Sequence, residues 1–92
     1  MNFFVGIGKI TNAYENGRVL KFTLDIKQER PCRVPCLIFD PDDEIRDFIR
    51  QVQTNQKLVW LKGKISTYEF ESKGKKVSKV DVISHHKSIQ II

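Results

Sequence analysis

Leu20, Phe22, Leu24 and Ile26 alternate with Lys21, Thr23, Asp25 and Lys27, the clearest period-two stretch in the chain. Such a stretch is a strand with one buried face and one wet, partly basic face. Just before it stands Glu15-Asn16-Gly17-Arg18. Asn-Gly predicts a two-residue type I′ hairpin, because both central residues tolerate positive φ. Upstream, Phe3 to Ala13 predicts a first strand carrying Gly6 and Gly8, which mark a bend or a close backbone approach. Downstream, the polar loop Gln28 to Pro31 leads to a third strand over Arg33–Phe39. Val34, Cys36 and Ile38 form one face of it, and Arg33, Pro35, Leu37 and Phe39 the other. Pro35 has no N–H for a ladder, so an edge or a bulge is expected there.

The period then changes. Asp40-Pro41-Asp42-Asp43 reads as a helix start, with Asp40 as N-cap, Pro41 at the first helical position and acids in the first turn. Ile45, Phe48, Ile49 and Val52 follow at helical spacing and make one apolar stripe, which ends near Thr54-Asn55. A long strand is expected from Lys57 to Phe70. Val59, Leu61, Gly63 and Ile65 point one way along it, and Trp60, Lys62, Lys64, Ser66, Tyr68 and Phe70 the other. Ser72-Lys73-Gly74-Lys75 is a second hairpin turn. The last strand runs from about Lys76 to Ser84, and Lys87 to Ile92 is apolar enough for a further short strand.

The order is β-β-β-α-β-β. One helix between strands 3 and 4 is the layout of the OB-fold, an all-β, five-stranded Greek-key barrel with a single α-helix. The helix stripe would plug one end of the barrel. The competing layout is a four-stranded sheet with one packed helix; the long fourth strand and the two hairpins favour the barrel.

Length and composition narrow the function. With 92 residues, one domain spanning 1–92 is expected. Hydrophobic residues at 40% and charged residues at 29% argue against a disordered chain and a membrane protein. The longest uncharged runs fall far short of the roughly 20 residues that span a bilayer, and the first residues lack the features of a secretory signal. Two cysteines make no disulfide framework, so a reducing compartment is expected, either a bacterial cytoplasm or an organelle interior such as the plastid stroma. Net charge is +5, unevenly spread. Five of the eleven acids lie between Asp40 and Asp47 with only Arg46 among them, which leaves the rest of the chain at +9. Carboxylates at a helix N-terminus suit its macrodipole and need no functional explanation. The basic remainder suits a polyanionic partner.

The OB-fold binds oligonucleotides around strands 2–3 and the loops joining strands 1–2 and 4–5. Here those positions are basic and aromatic: Lys21 and Lys27 on strand 2, Arg33, Leu37 and Phe39 on strand 3, Lys62, Lys64, Tyr68 and Phe70 on strand 4, then Lys73, Lys75 and Lys76 in the following loop. Bases stack on aromatic rings while ammonium groups track phosphates, which equips a face for single-stranded nucleic acid without any catalytic group. Each aromatic also has a structural reading. Phe39 could turn inward as core, Tyr68 and Phe70 could brace their hairpin, and Trp60 suits packing or a subunit contact.

Phe4-Val5-Gly6-Ile7-Gly8-Lys9-Ile10, Phe22-Thr23-Leu24, Leu37-Ile38-Phe39, Trp60-Leu61-Lys62-Gly63-Lys64-Ile65 and Ser88-Ile89-Gln90-Ile91-Ile92 follow one another in an order that resembles the bacterial-type single-stranded-DNA-binding proteins over nearly the whole length. The resemblance implies base stacking at Phe39 and Phe70. Two further stacking positions of that family fall on Arg30 and Arg33, whose guanidinium planes can stack and pair with phosphate; weaker binding or a different strand path follows. It also implies a homodimer or homotetramer paired through strand 1. Within the resemblance, a member without the family's disordered, acidic-tipped tail is expected, similar to the primosomal replication protein and to small tail-less relatives of cyanobacteria and plastids.

Other chemistry is set aside. Cys32, Cys36, His85 and His86 could ligate zinc, but adjacent histidines on a strand face opposite ways and the spacing is not that of a structural site. Cys36 reads as a small core residue. Gly6 and Gly8 lack the third glycine and the helix of a dinucleotide fingerprint. No nucleophile–base pair is visible, so neither an enzyme, a cofactor, a metal nor a small-molecule substrate is expected. The expected partner is single-stranded DNA. RNA is an alternative, and a protein-interaction barrel using the acidic helix, Leu37 and Trp60 is another.

Overall fold

The chain, described by a computed structural model, forms β1 (Phe3–Asn16), β2 (Val19–Ile26), β3 (Cys32–Phe39), α1 (Asp43–Thr54), β4 (Leu58–Ser72) and β5 (Lys75–Ile91). The structure describes residues 2–92, and their side chains other than those of Tyr68, Phe70, residues 77–80, His86 and Lys87. The strands close into a barrel in the order β1-β2-β3-β5-β4, with β4 returning to pair with β1. Every pairing is antiparallel except a short parallel contact of Cys36 and Leu37 with Val82 and Ile83. Closure excludes the open sheet-and-helix layout and gives the expected Greek-key barrel.

Alternation builds the core. Leu20, Phe22 and Leu24 of β2 stand opposite Ile38, Cys36 and Val34 of β3, and all but the half-buried Val34 are buried. Ile10, Val59, Leu61, Val82 and Ile89 close the remaining walls. Ile45, Ile49 and Val52 of α1 are buried against them, with Phe48 partly covered, so the apolar stripe does plug the barrel. The helix is tied to the end of β1. The Ala13 N–H donates to Gln53 Oε1 at 2.9 Å, and Arg46 pairs with both Glu15 and Asp43.

Four local expectations need correction. The β1–β2 loop is Gly17-Arg18, not Asn16-Gly17, because Asn16 pairs with Val19 and Gly17 alone takes the positive φ, at 63°. The helix cap is Asp42, not Asp40. Asp42 Oδ1 accepts from the Ile45 N–H at 2.8 Å, the geometry of a cap reaching the third helical residue. Asp40 instead makes the corner between β3 and α1, at φ 49°, with its N–H donated to Arg18 O at 2.7 Å. Strand β1 runs on to Asn16 past an irregularity between Thr11 and Tyr14, where Asn12 has φ 54°. The tail is no separate strand, since β5 is continuous from Lys75 to Ile91.

That continuity depends on Gly63. The β4–β5 register shifts between Leu61 and Gly63. A Cβ at Gly63 would press into the Val82 side chain and lie 2.9 Å from Ile83 O. The buried Ser84 hydroxyl donates to Lys62 O at 3.2 Å and so links β5 to β4 across the shift. Pro35 sits opposite Thr23, and the parallel pairing to β5 starts at the next residue, so the residue without an N–H stands just outside that ladder.

Candidate nucleic-acid interface

The β2–β3 ladder fixes which outward side chains are neighbours. Val19 stands opposite Phe39, Lys21 opposite Leu37, Thr23 opposite Pro35 and Asp25 opposite Arg33. Phe39 is 53% exposed, so it faces solvent and not the core. Leu37 and Lys21 are half-buried beside it, and Arg33 is exposed at the other end. Lys27 and Arg30 are exposed on the loop that follows β2. The face therefore runs from an aromatic ring, over an aliphatic and ammonium pair, to a cluster of bases. Asp25 beside Arg33 moderates the charge at that end.

Strand order decides what else belongs to this face. One outward row circles the barrel: Lys21 pairs with Leu37, Leu37 with Ile83, Ile83 with Lys64, and Lys64 with Phe3. Lys64 and Lys21 are therefore not on neighbouring strands: β1 separates β4 from β2 on one side of the closed barrel, and β3 and β5 on the other. Lys62 and Lys64 do not share the β2–β3 face, because β5 enters between β3 and β4. They lie beside the outward residues of β1 instead, and the Lys62 ammonium sits 5.1 Å from the centre of the Phe3 ring. At the β4–β5 hairpin, Lys73 and Gly74 form the two-residue loop, both with positive φ as a type I′ turn requires. Lys73, Lys75 and Lys76 are all exposed. Lys75 stands opposite Ser72 and Lys76 opposite Glu71, and alternation puts these two lysines on opposite faces of the ribbon. The side chains of Tyr68 and Phe70 lie outside the described residues.

No protein-family model and no curated protein matches the sequence. Solved structures do match the barrel. A mitochondrial single-stranded-DNA-binding protein of S. cerevisiae superimposes with a TM-score of 0.70 at 18% identity, covering 99% of this chain and 94% of that one. A Plasmodium falciparum single-stranded-DNA-binding protein, solved in complex with single-stranded DNA, gives 0.69 at 14% identity, covering 100% and 93%. The chain has the OB-fold of these proteins.

Two features of this OB barrel were not anticipated. The first is an apolar stripe: Phe3, Val5 and Ile7 are 53%, 56% and 50% exposed, opposite Lys64, Lys62 and Trp60, with Leu58 also exposed nearby. Its signal was in the sequence. With Gly6 and Gly8 on one face of β1, the bulky residues between them must take the other. The second is a cavity of about 400 Å³ between the end of β3 and β5, lined by Ile38, Phe39, Asp40, Ile83, Ser84 and His85. The cysteines are both free thiols. Cys36 is buried, its Sγ–H directed at Val34 O at 3.4 Å, and burial pushes its pKa from 9.0 up to about 12. Among the described residues no helix is long and apolar enough to cross a membrane.

Proposed function

We propose that this chain binds single-stranded DNA and does so without catalysis. The observation that carries the reading is Phe39, half-exposed at one end of the β2–β3 outer face and followed along it by Leu37 with Lys21 and then Arg33. A strand lying along this face stacks a base on Phe39, packs against Leu37, and brings phosphates to Lys21, Arg33, Lys27 and Arg30. The two arginines hold phosphate where rings would hold bases, so each copy depends more on charge than on stacking. Lys73 and Lys75 on the β4–β5 hairpin extend the track. That two structures of like fold are single-stranded-DNA-binding proteins, one of them holding single-stranded DNA, supports the same reading.

The apolar stripe of β1 suits a second copy of the chain. Exposed Phe3, Val5 and Ile7, beside Trp60 and Leu58, make a face that is costly to leave in water and can pair with itself about a two-fold axis. A homodimer, or a tetramer of two such pairs, follows. Two free thiols suit a reducing compartment, a bacterial cytoplasm or an organelle interior.

Fluorescence anisotropy of labelled thymidine and uridine oligomers, titrated at two salt concentrations beside a duplex of equal length, tests the binding. Single strands should bind more tightly than duplex, and less tightly at the higher salt. Tighter uridine binding would move the assignment to RNA. No binding at low salt by folded protein would overturn it.

A further inference from the structure

We infer that the cavity between the end of β3 and β5 is a base-reading subsite, in which Phe39 stacks one unpaired base and the Asp40 carboxylate accepts hydrogen bonds from its edge, favouring guanine and disfavouring thymine. This rests on the single-strand reading above and adds a preference to it.

The argument starts from a carboxylate in an unfavourable place. A face that binds a polyanion loses affinity to any acid on it. Asp25, the other acid on this face, stands opposite Arg33 in the ladder. Asp40 has no ion pair with any described residue, yet it follows directly on the exposed stacking ring. Nor does the backbone require its charge. Position 40 needs positive φ, 49°, and asparagine or glycine supplies that as well. The helix does not use it either, because Asp42 is the cap and Asp43 and Glu44 fill the first turn.

Geometry gives the carboxylate a use. Phe39 and Asp40 line the same cavity of about 400 Å³, large enough for one base, with Ile83 as apolar lining and Ile38, only 1% exposed, beneath it in the core. The Asp40 N–H donates to Arg18 O at 2.7 Å, which fixes the backbone of the corner that carries the carboxylate into the same cavity lining as the ring. An ionised carboxylate only accepts hydrogen bonds. Guanine offers two adjacent donors, N1–H and the N2 amine, which a carboxylate takes bidentately. Cytosine and adenine offer one amine each. Thymine offers a single N3–H between two carbonyl oxygens, both of which repel the carboxylate. The order of preference is guanine, then cytosine and adenine, then thymine.

The test uses a labelled thymidine oligomer of about 15 nucleotides, near the upper end of one barrel's footprint, and the same oligomer with one central guanine. By anisotropy at low salt the guanine oligomer should bind about tenfold more tightly, the discrimination of one modest bidentate contact. Asp40→Asn keeps a residue suited to positive φ and presents a donor and an acceptor, which match thymine N3–H and O4 and guanine N1–H and O6 alike. It should erase the ratio, with circular dichroism and melting confirming the fold. Equal affinity of the wild-type protein for the two oligomers overturns the subsite and leaves single-strand binding standing. A guanine preference that survives Asp40→Asn overturns the role of the carboxylate. Binding to neither oligomer by folded protein overturns the underlying reading, and the subsite with it.

Discussion

Phe39 and Ile38 are adjacent in β3 and differ in exposure, 53% against 1%. Their alanine variants should therefore separate binding from folding. Phe39→Ala removes a ring that buries only about half its surface. From the ~3 kcal/mol of a fully buried phenylalanine, the loss of stability is about 1 kcal/mol. For a domain near this size that is a fall in Tm of about 4–8 °C. The same change removes a stacking platform worth roughly 1–3 kcal/mol per base. At about 1.4 kcal/mol per tenfold, Kd should rise roughly 5- to 150-fold. Ile38→Ala does the opposite. A fully buried aliphatic cut to alanine costs about 2–5 kcal/mol of stability, and so a fall in Tm of about 10 °C or more. It leaves the outer face untouched, so Kd measured well below its melting point should change little. Anisotropy with a thymidine oligomer and thermal melting by circular dichroism read the two quantities on the same samples. A wild-type Kd for Phe39→Ala, in protein shown to be folded, would refute the placement of the strand on the β2–β3 face. A large loss of Tm with it would mean that Phe39 is core.

Other substitutions test separate parts. Ile7→Glu places a charge in the apolar stripe of β1; light scattering should show a smaller assembly than the wild-type protein, with monomer stability changed by no more than about 0.5 kcal/mol. Gly63→Ala forces a methyl against Val82 and the Ile83 carbonyl and should cost about 1–3 kcal/mol by denaturant titration. A thiol reagent near pH 8 should modify half-buried Cys32 and spare Cys36, which reacts only once denaturant is added. The Cys36 thiol is raised from 9.0 to about 12 in the fold, so its protonated form stabilises fully below pH 9 and that contribution is lost as pH climbs from 9 to about 12. Cys36→Ala should flatten the fall in stability over that window. Lys21→Ala should reduce the slope of log affinity against log salt by about 0.7, the share of one phosphate on a single strand.

What the sequence made legible was local. The alternation over Leu20–Ile26 and the stripe Ile45, Ile49 and Val52 are fixed by periods of two and 3.6, and both became core. Phe39 was placed outward by the same counting. What could not be counted was set by partners far along the chain. Lys62 and Lys64 alternate outward as expected, but the direction they face depends on β5 entering between β3 and β4, a pairing between residues more than forty apart. The helix cap lies two residues on because Asp40 takes a positive φ of 49° at the corner held by Arg18 O, while Asp42 has the extended backbone that a cap requires. The tail joined β5 because Ser84 and Gly63 carry the ladder through its register shift. That the barrel superimposes on others at 14–18% identity has the same physical root. The fold asks for alternation and a few close approaches, which many residues can meet.

Barrel closure makes the two exposed faces compatible. The apolar stripe lies on β1 beside β4, and the aromatic, basic face lies on β2 and β3. A second copy seated on the stripe covers Trp60 and crowds Lys62 and Lys64, yet leaves Phe39, Leu37 and Arg33 open. On the proposed reading this division matters, because arginines stand at positions 30 and 33 where rings would stack and each copy holds its strand weakly. Joining two copies turns the second contact with the same strand into an intramolecular one. Such linkage raises affinity by roughly 10²–10⁴ without any new contact. On that reading the stripe and the face form one device. Phe3→Glu, on the β4 side of the stripe opposite Lys64, should weaken binding to an oligomer long enough to span two barrels. It should leave binding to an oligomer that spans only one unchanged.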